Sequence, residues 1–204
     1  MDSLYLGCVC WLSIAWRYQG IDEGAGMRMQ IRREWAMPNK HTFLINPIKD
    51  LIEKYVGDGK GWIDPFAGEN SPAEFTNDLN PDMPTQCHIE AKSFIQGLKD
   101  EYNGCLFDPP YSLRQLKECY ESIGIKKITQ EDSILFPTNI KDKIYPKIKK
   151  GGIVICCGWD SNAFGINRGF EFEEILLVAH GGRHNDTIVT VEKKVREQTI
   201  MEFT

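Results

Sequence analysis

The sequence predicts an α/β domain: a mostly parallel sheet with an antiparallel C-terminal hairpin and helices on both faces. Three observations carry this. From Thr42 onward, short apolar runs alternate with segments of helical periodicity, the pattern of strands joined by helical crossovers. The run Ile153-Val154-Ile155-Cys156-Cys157-Gly158-Trp159 is apolar throughout, as a strand covered on both faces must be. Phe172 to His180 and Thr187 to Val191 are two further strand-like runs, joined by residues 181–186. That spacing fits a hairpin at a sheet edge.

Length and charge narrow the possibilities. A chain of 204 residues holds one well-buried core and is short for two domains. A formal net charge of -5 argues weakly against a nucleic-acid partner, since local patches matter more than the total. The seven cysteines show no metal-ligand spacing and read as reduced thiols of a cytoplasmic protein. Leu4 to Trp16 is apolar but too short to cross a bilayer. No basic residue precedes it and no small-residue cleavage site follows, so it does not read as a secretory signal. It is either an extra element packed on the domain or an extension ahead of a start at Met27 or Met29. The expected division is residues 1–30 as an extension of uncertain role and 31–204 as a single domain.

In chain order, Arg32 to Lys40 reads as a basic and aromatic loop. Pro47 suits the first turn of a helix whose Ile48, Leu51, Ile52 and Tyr55 recur at helical spacing, stopped at Gly57 and Gly59. Trp62-Ile63 is a strand core, turned at Pro65 and Gly68. A second strand, Glu74-Phe75-Thr76, ends at Asn77-Asp78, and Gln86 to Ala91 is a short third. Phe94, Ile95 and Leu98 fit a helix. Gly104 to Phe107 is a buried strand ended by two prolines. Leu113 to Gly124 follows as a helix with Leu116, Tyr120 and Ile123 as core positions. Lys126 to Pro137 reads as a polar loop, Ile140, Ile144 and Ile148 as one helix face, and Gly151-Gly152 as its stop.

The chemistry centres on Asp108-Pro109-Pro110-Tyr111. A carboxylate beside proline carbonyls offers several acceptors and no donor, which suits an exocyclic amine with two N–H groups. The tyrosine offers a flat face for a base. Taken alone, the tetrad is also readable as a turn with an Asp cap, the less favoured of the two readings. Gly68 permits a ligand to approach the backbone closely. Asp78, at the end of the second strand, is placed either to accept two ribose hydroxyls or simply to begin a turn before Pro81.

Together these residues resemble class I S-adenosylmethionine-dependent methyltransferases, specifically the small, phage-associated DNA adenine-N6 methyltransferases. The likeness runs from about Arg33 to Lys194. Asp64-Pro65-Phe66-Ala67-Gly68 resembles the cofactor motif, Asp78 with Leu79 the ribose-binding position, and Glu90-Ala91 the contact with the cofactor's adenine ring. Asp108 to Tyr111 resembles the catalytic motif, with Asp108 also beside the cofactor. Thr42 to Pro47, including Phe43, resembles the segment that closes over the methionine end. The resemblance implies a Rossmann-like class I methyltransferase sheet, S-adenosyl-L-methionine as cofactor and methyl transfer to adenine in DNA. It implies no covalent nucleophile, no metal and no membrane partner. Lys40, Arg183 and His184, with the Lys141 to Lys150 run, are the basic positions available to phosphates. Each also reads as solvated surface.

Two departures stand out. Asn70 occupies a position where the family carries a further glycine. The chain also has no room for the target-recognition domain of larger members, so specificity would come from loops or a partner, a second copy included. Cytosine-N4 transfer, transfer to RNA or a protein amide, and a silent cofactor-binding scaffold are the rival expectations.

Overall fold

The structure, a computed structural model, describes residues 29–99, 101–124, 130–160 and 162–196, with backbone alone for 130–136. The apolar run at 4–16, and with it most of the expected N-terminal extension, lies outside the described residues.

Seven strands form one sheet: β1 (Gln30–Trp35), β2 (Trp62–Asp64), β3 (Phe75–Thr76), β4 (Tyr102–Phe107), β5 (Ile148–Gly158), β6 (Phe170–Ala179) and β7 (Thr187–Lys194). Their order is β1-β6-β7-β5-β4-β2-β3. Only β7 runs antiparallel to its neighbours, β5 and β6. The carboxyl ends of the other six strands therefore share one edge of the sheet, where open α/β sheets bind ligands.

The α-helices among the described residues are α1 (Asn46–Val56), α2 (Ala91–Gly97), α3 (Leu113–Ser122) and α4 (Gln130–Ile144). Pro47 lies in the first turn of α1, and Ile48, Leu51 and Ile52 form its buried stripe. That stripe covers Leu106, Ile155, Leu176 and Val189 on one sheet face. Phe94 and Ile95 of α2, with Ile140 and Ile144 of α4, cover Ile63, Cys105, Phe107 and Val154 on the other. Strand alternation sends Cys105 and Phe107 one way and Leu106 the other. Phe107 is fully buried, and burial of such a side chain stabilises by about 1.5–3 kcal/mol. Gly104 is required by close approach: a Cβ there would lie 2.5 Å from the Ile153 carbonyl oxygen and 2.7 Å from the Trp62 ring.

Four expectations are corrected. Gln30–Trp35 is a strand, not a loop, so the β6–β7 hairpin is not at the edge; β1 adds outside it, parallel to β6. Charge hides the alternation. Arg32 faces the buried Glu174, which accepts from Arg32 Nε at 2.6 Å, Lys54 Nζ at 2.7 Å and the Tyr55 hydroxyl at 3.0 Å. Burial pushes the Glu174 carboxyl up, but these donors hold it below its ordinary pKa.

The third short strand reduces to a single parallel bridge between Asn77 and Cys87. Much of the expected polar loop is helix, because α4 begins at Gln130 and carries Pro137 inside it. The Ile140 and Ile144 anchors outweigh the one intrahelical hydrogen bond that proline removes. The rest of that loop, 126–129, lies outside the described residues. Finally, Gly151-Gly152 does not stop a helix. Both lie within β5, where a Cβ on Gly152 would come 2.9 Å from the Asn103 carbonyl oxygen.

Among the described residues, no helix is long and apolar enough to cross a membrane, and no cluster of His, Cys, Asp and Glu could hold a metal ion.

Candidate active site

A cavity of about 530 Å³ opens at the carboxyl ends of β2, β3 and β4, within the range of small-molecule sites. Its walls bring together Pro65, Phe66, Asp78, Leu79, Glu90, Ala91 and the whole Asp108-Pro109-Pro110-Tyr111 tetrad. Those residues come from segments far apart in the sequence, and only the parallel sheet assembles them.

The turn after β2 is fixed by its own carboxylate. Asp64 is fully buried. It accepts from the Phe66 N–H at 2.9 Å and the Ser71 hydroxyl at 2.6 Å. Gly68 sits at φ 54, in the left-handed region, and its N–H donates to Asp78 Oδ2 at 3.1 Å. Asp78 Oδ1 accepts from the Asn80 N–H at 2.8 Å. Asp78 is thus oriented by two backbone donors and keeps lone pairs for a ligand. A Cβ on Gly68 would meet nothing within 4 Å, so open space lies beside that backbone.

Asp64 functions as a support under the site, not as a wall of it. Burial raises its carboxyl to about 7; the Ser71 and Phe66 hydrogen bonds pull it down, and the charges of Asp108 and Asp78 push it up. An acid held more tightly protonated in the folded state contributes stability that is present below its unfolded pKa of about 4 and is lost as pH rises through the folded value. Asp64→Asn is expected to flatten the stability profile between about pH 4 and 7, read as melting temperature against pH. Unchanged pH dependence in that variant would refute the assignment.

The Asp108-Pro109-Pro110-Tyr111 turn is locked from both sides. Ser112 caps α3, accepting from the Gln115 N–H at 3.2 Å. The Gln115 side chain in turn accepts from the Tyr111 N–H at 2.7 Å. The Tyr111 hydroxyl donates to Asp108 Oδ1 in a short hydrogen bond. The Thr42 hydroxyl lies 3.4 Å from the Tyr111 hydroxyl. Burial raises Asp108 to about 6, against the lowering effect of hydrogen bonds from Tyr111 and Thr42. Burial and the neighbouring Asp108 charge push the Tyr111 phenol well up, so it stays a neutral donor.

Several expected site residues lie elsewhere. Phe43 is buried in the core with Ile45 and Ile48; its neighbour Thr42 lines the cavity instead. Ala67 is buried, its N–H bonded to the Asn77 carbonyl at 3.0 Å. Lys40, Arg183 and His184 are exposed on loops at the same sheet edge, outside the cavity wall. The Lys141 to Lys150 run does not join them. Lys147, Lys149 and Lys150 lie at the amino end of β5, the opposite edge. Lys141 is buried and donates to the Ala163 carbonyl at 3.0 Å.

Two residues escaped sequence reasoning. Asn77, nearly fully buried, donates to the carbonyls of Pro65 at 3.2 Å and Ile89 at 2.9 Å, and accepts from the Ile89 N–H at 3.1 Å. It joins the two sides of the cavity floor. The only sequence signal was its place immediately before Asp78. Tyr120, expected in the core, lines the cavity and donates to Glu90 at 2.8 Å.

No protein-family model matches the chain, and no curated protein matches it. Solved structures do. TrmN from Thermus thermophilus is 15% identical with a TM-score of 0.52, covering 76% of this chain and 50% of that one. NSun6 from Pyrococcus horikoshii, solved with SFG, is 12% identical at a TM-score of 0.45, covering 67% of this chain and 48% of that one. A methyltransferase homolog from Pyrococcus horikoshii is 12% identical at 0.43, covering 66% and 61%. TrmN, the one of these with a TM-score above 0.5, shares the fold, a Rossmann-like and mostly parallel sheet with one antiparallel strand. The chain spans about half the length of TrmN, so the likeness defines the architecture and not a substrate.

Proposed function

We propose that this chain transfers a methyl group from S-adenosyl-L-methionine to the exocyclic N6 amine of adenine in DNA. One observation carries the reading: the Asp108-Pro109-Pro110-Tyr111 turn and Asp78, which the Gly68 N–H orients, face the same cavity. The cavity residues suit the cofactor. Asp78 offers acceptors to ribose hydroxyls, Gly68 leaves open space beside its backbone, and Glu90-Ala91 offers an edge for an adenine ring. When bound, S-adenosyl-L-methionine supplies an electrophilic methyl group on a sulfonium.

The chain's own residues do the rest by orientation and electrostatics. An adenine turned out of its strand lays its ring on Tyr111. Asp108 and the Pro109 carbonyl accept the two amine N–H groups, which aligns the nitrogen lone pair. Pro110 keeps the backbone from offering a competing donor. As nitrogen gains carbon it loses a proton, and the Asp108 carboxylate takes it. Because Tyr111 donates to Asp108 Oδ1 here, the phenol shifts as the amine arrives. Residues 31–204 would act as a single catalytic domain, with specificity supplied by loops, a second copy or a partner.

The test is incubation with cofactor carrying a labelled methyl group and unmethylated DNA, followed by nucleoside analysis. Label on N6-methyladenine is expected. Label on cytosine, RNA or protein would overturn the substrate; cofactor binding with no transfer would mean a silent scaffold.

A further inference from the structure

The outer strand of the sheet is paired on one side only. β1 ends the strand order, with β6 its single neighbour among the described residues. It carries no proline, and its register with β6 has no bulge. Ile31 and Trp35 are 62% and 64% exposed, and Met37, just beyond the strand, is 68% exposed. Strand alternation puts these with Arg33 on the sheet face opposite Arg32 and Glu34; Arg32 lies on the α1 side, where it reaches Glu174. Behind Ile31 and Arg33 stand their β6 partners Ile175 and Leu177, half-buried and in neither core cluster. A regular open edge bearing large apolar side chains is a template for another strand.

The end of β1 shows which backbone groups are free. The Ala36 N–H donates to the Ala179 carbonyl at 3.1 Å, and the Ala36 carbonyl oxygen pairs with His180 Nδ1 at 2.9 Å. The Nε2 of that buried ring pairs with the Thr187 hydroxyl at 2.9 Å. A Cβ on Gly181 would lie 3.4 Å from the Trp35 indole nitrogen, so Trp35 rests against the β6–β7 loop. Ala36 thus turns both backbone groups inward. Successive strand residues turn theirs to alternate sides, so Ile31, Arg33 and Trp35 present N–H and C=O to the open edge.

We propose that this edge pairs with a second copy of itself, β1 against β1 and antiparallel, about a two-fold axis at Arg33. Ile31 then faces the partner's Trp35, and Trp35 the partner's Ile31. These pairs and the Arg33 self-pair each exchange both of their free N–H···O bonds. On the α1 side, Arg32 faces the partner's Glu34, and Glu34 the partner's Arg32. Opposite charges and aliphatic–aromatic neighbours are the cross-strand pairs that stabilise a sheet, and the symmetry repeats each of them. The Arg33 self-pair opposes them, but it lies on the exposed face, where salt screens it and the Trp35 ring two residues along is within reach of the guanidinium. Adjacent registers lack this match. Centring on Arg32 or on Glu34 sets that charge against itself and places Arg33 opposite Ile31 or Trp35. Antiparallel joining turns the carboxyl edges of the two sheets, and with them the two cavities, in opposite directions.

The test uses the full chain without cofactor or DNA, so it is independent of the proposed reaction. Sedimentation over about 1–100 μM is expected to show the mass rising to twice the 23.3 kDa of one chain. R33C sets two thiols directly opposite, with Cα atoms about 5.5 Å apart, inside the range a disulfide spans. Mild oxidation should give a covalent dimer of R33C on non-reducing gels, and none of the wild type or of Q30C, which faces Ala36 in this register. I31P removes an N–H that the fold leaves free and should weaken dimerisation about tenfold or more, with the melting temperature of the monomer unchanged. E34K sets a lysine against the partner's Arg32 and should weaken it likewise. A monomer at every concentration overturns the proposal, and includes the outcome in which residues 1–28 cover the edge within one chain. A dimer that survives both I31P and E34K, or that cross-links equally through Q30C, also overturns it.

Discussion

Asp108→Asn is expected to slow methyl transfer by about 10²–10³-fold while leaving cofactor affinity within about twofold. The magnitude is that of removing one preorganised polar partner from a developing charge. Asparagine keeps the shape and one carbonyl acceptor, but it can neither carry the charge nor take the proton. The wild-type rate should also rise through about pH 6, the value to which burial raises Asp108. Below that pH the carboxyl is protonated and presents a donor where an acceptor is needed. The acid limb should vanish in the variant. Single-turnover rates across pH 5 to 9, beside cofactor binding by calorimetry, separate the two effects. A variant that turns over like the wild type, or an acid limb that persists in it, would remove Asp108 from the chemistry.

Asn77→Ala should destabilise the fold by about 3 kcal/mol and weaken cofactor binding as well. The side chain makes three hydrogen bonds to Pro65 and Ile89 backbone groups, and alanine leaves an N–H and two carbonyls poorly matched in a buried place. Each such orphan costs about 1–3 kcal/mol, offset in part by relaxation. The next residue is Asp78, and Glu90 follows Ile89, so both sides of the cofactor cleft lose their common brace. Urea unfolding reads the first effect and cofactor titration the second. A loss below about 1 kcal/mol with normal binding would show that the floor holds itself together without Asn77.

Most of what positions this site was legible in the chain because it is written in period and punctuation. The stripe Ile48, Leu51, Ile52 can only be one face of a helix, and the continuous apolar run of β5 can only be buried. Asp64 and Asp108 each follow an apolar pair or run and precede proline, which marks a strand end. The tetrad and Asp78 therefore fall on one edge by sequence pattern alone.

What failed did so for physical reasons. In β1 the alternating partners are Arg32 and Glu34, whose burial depends on Glu174, a residue 142 positions away from Arg32. No local window contains that carboxylate. Pro137 and the Gly151-Gly152 pair carry local signals that point against helix and strand, and tertiary packing overrides both. Phe43 was assigned by motif position; its neighbour Thr42 faces the cavity while the ring enters the core. Asn77 and Tyr120 act through hydrogen bonds across the cleft, which composition and period do not encode.

The clasp between His180 and Ala36 bridges 144 residues. A ribosome has therefore made β6 and His180 before the first described strand can find a seat. Until then Trp35 has no neighbour to rest on.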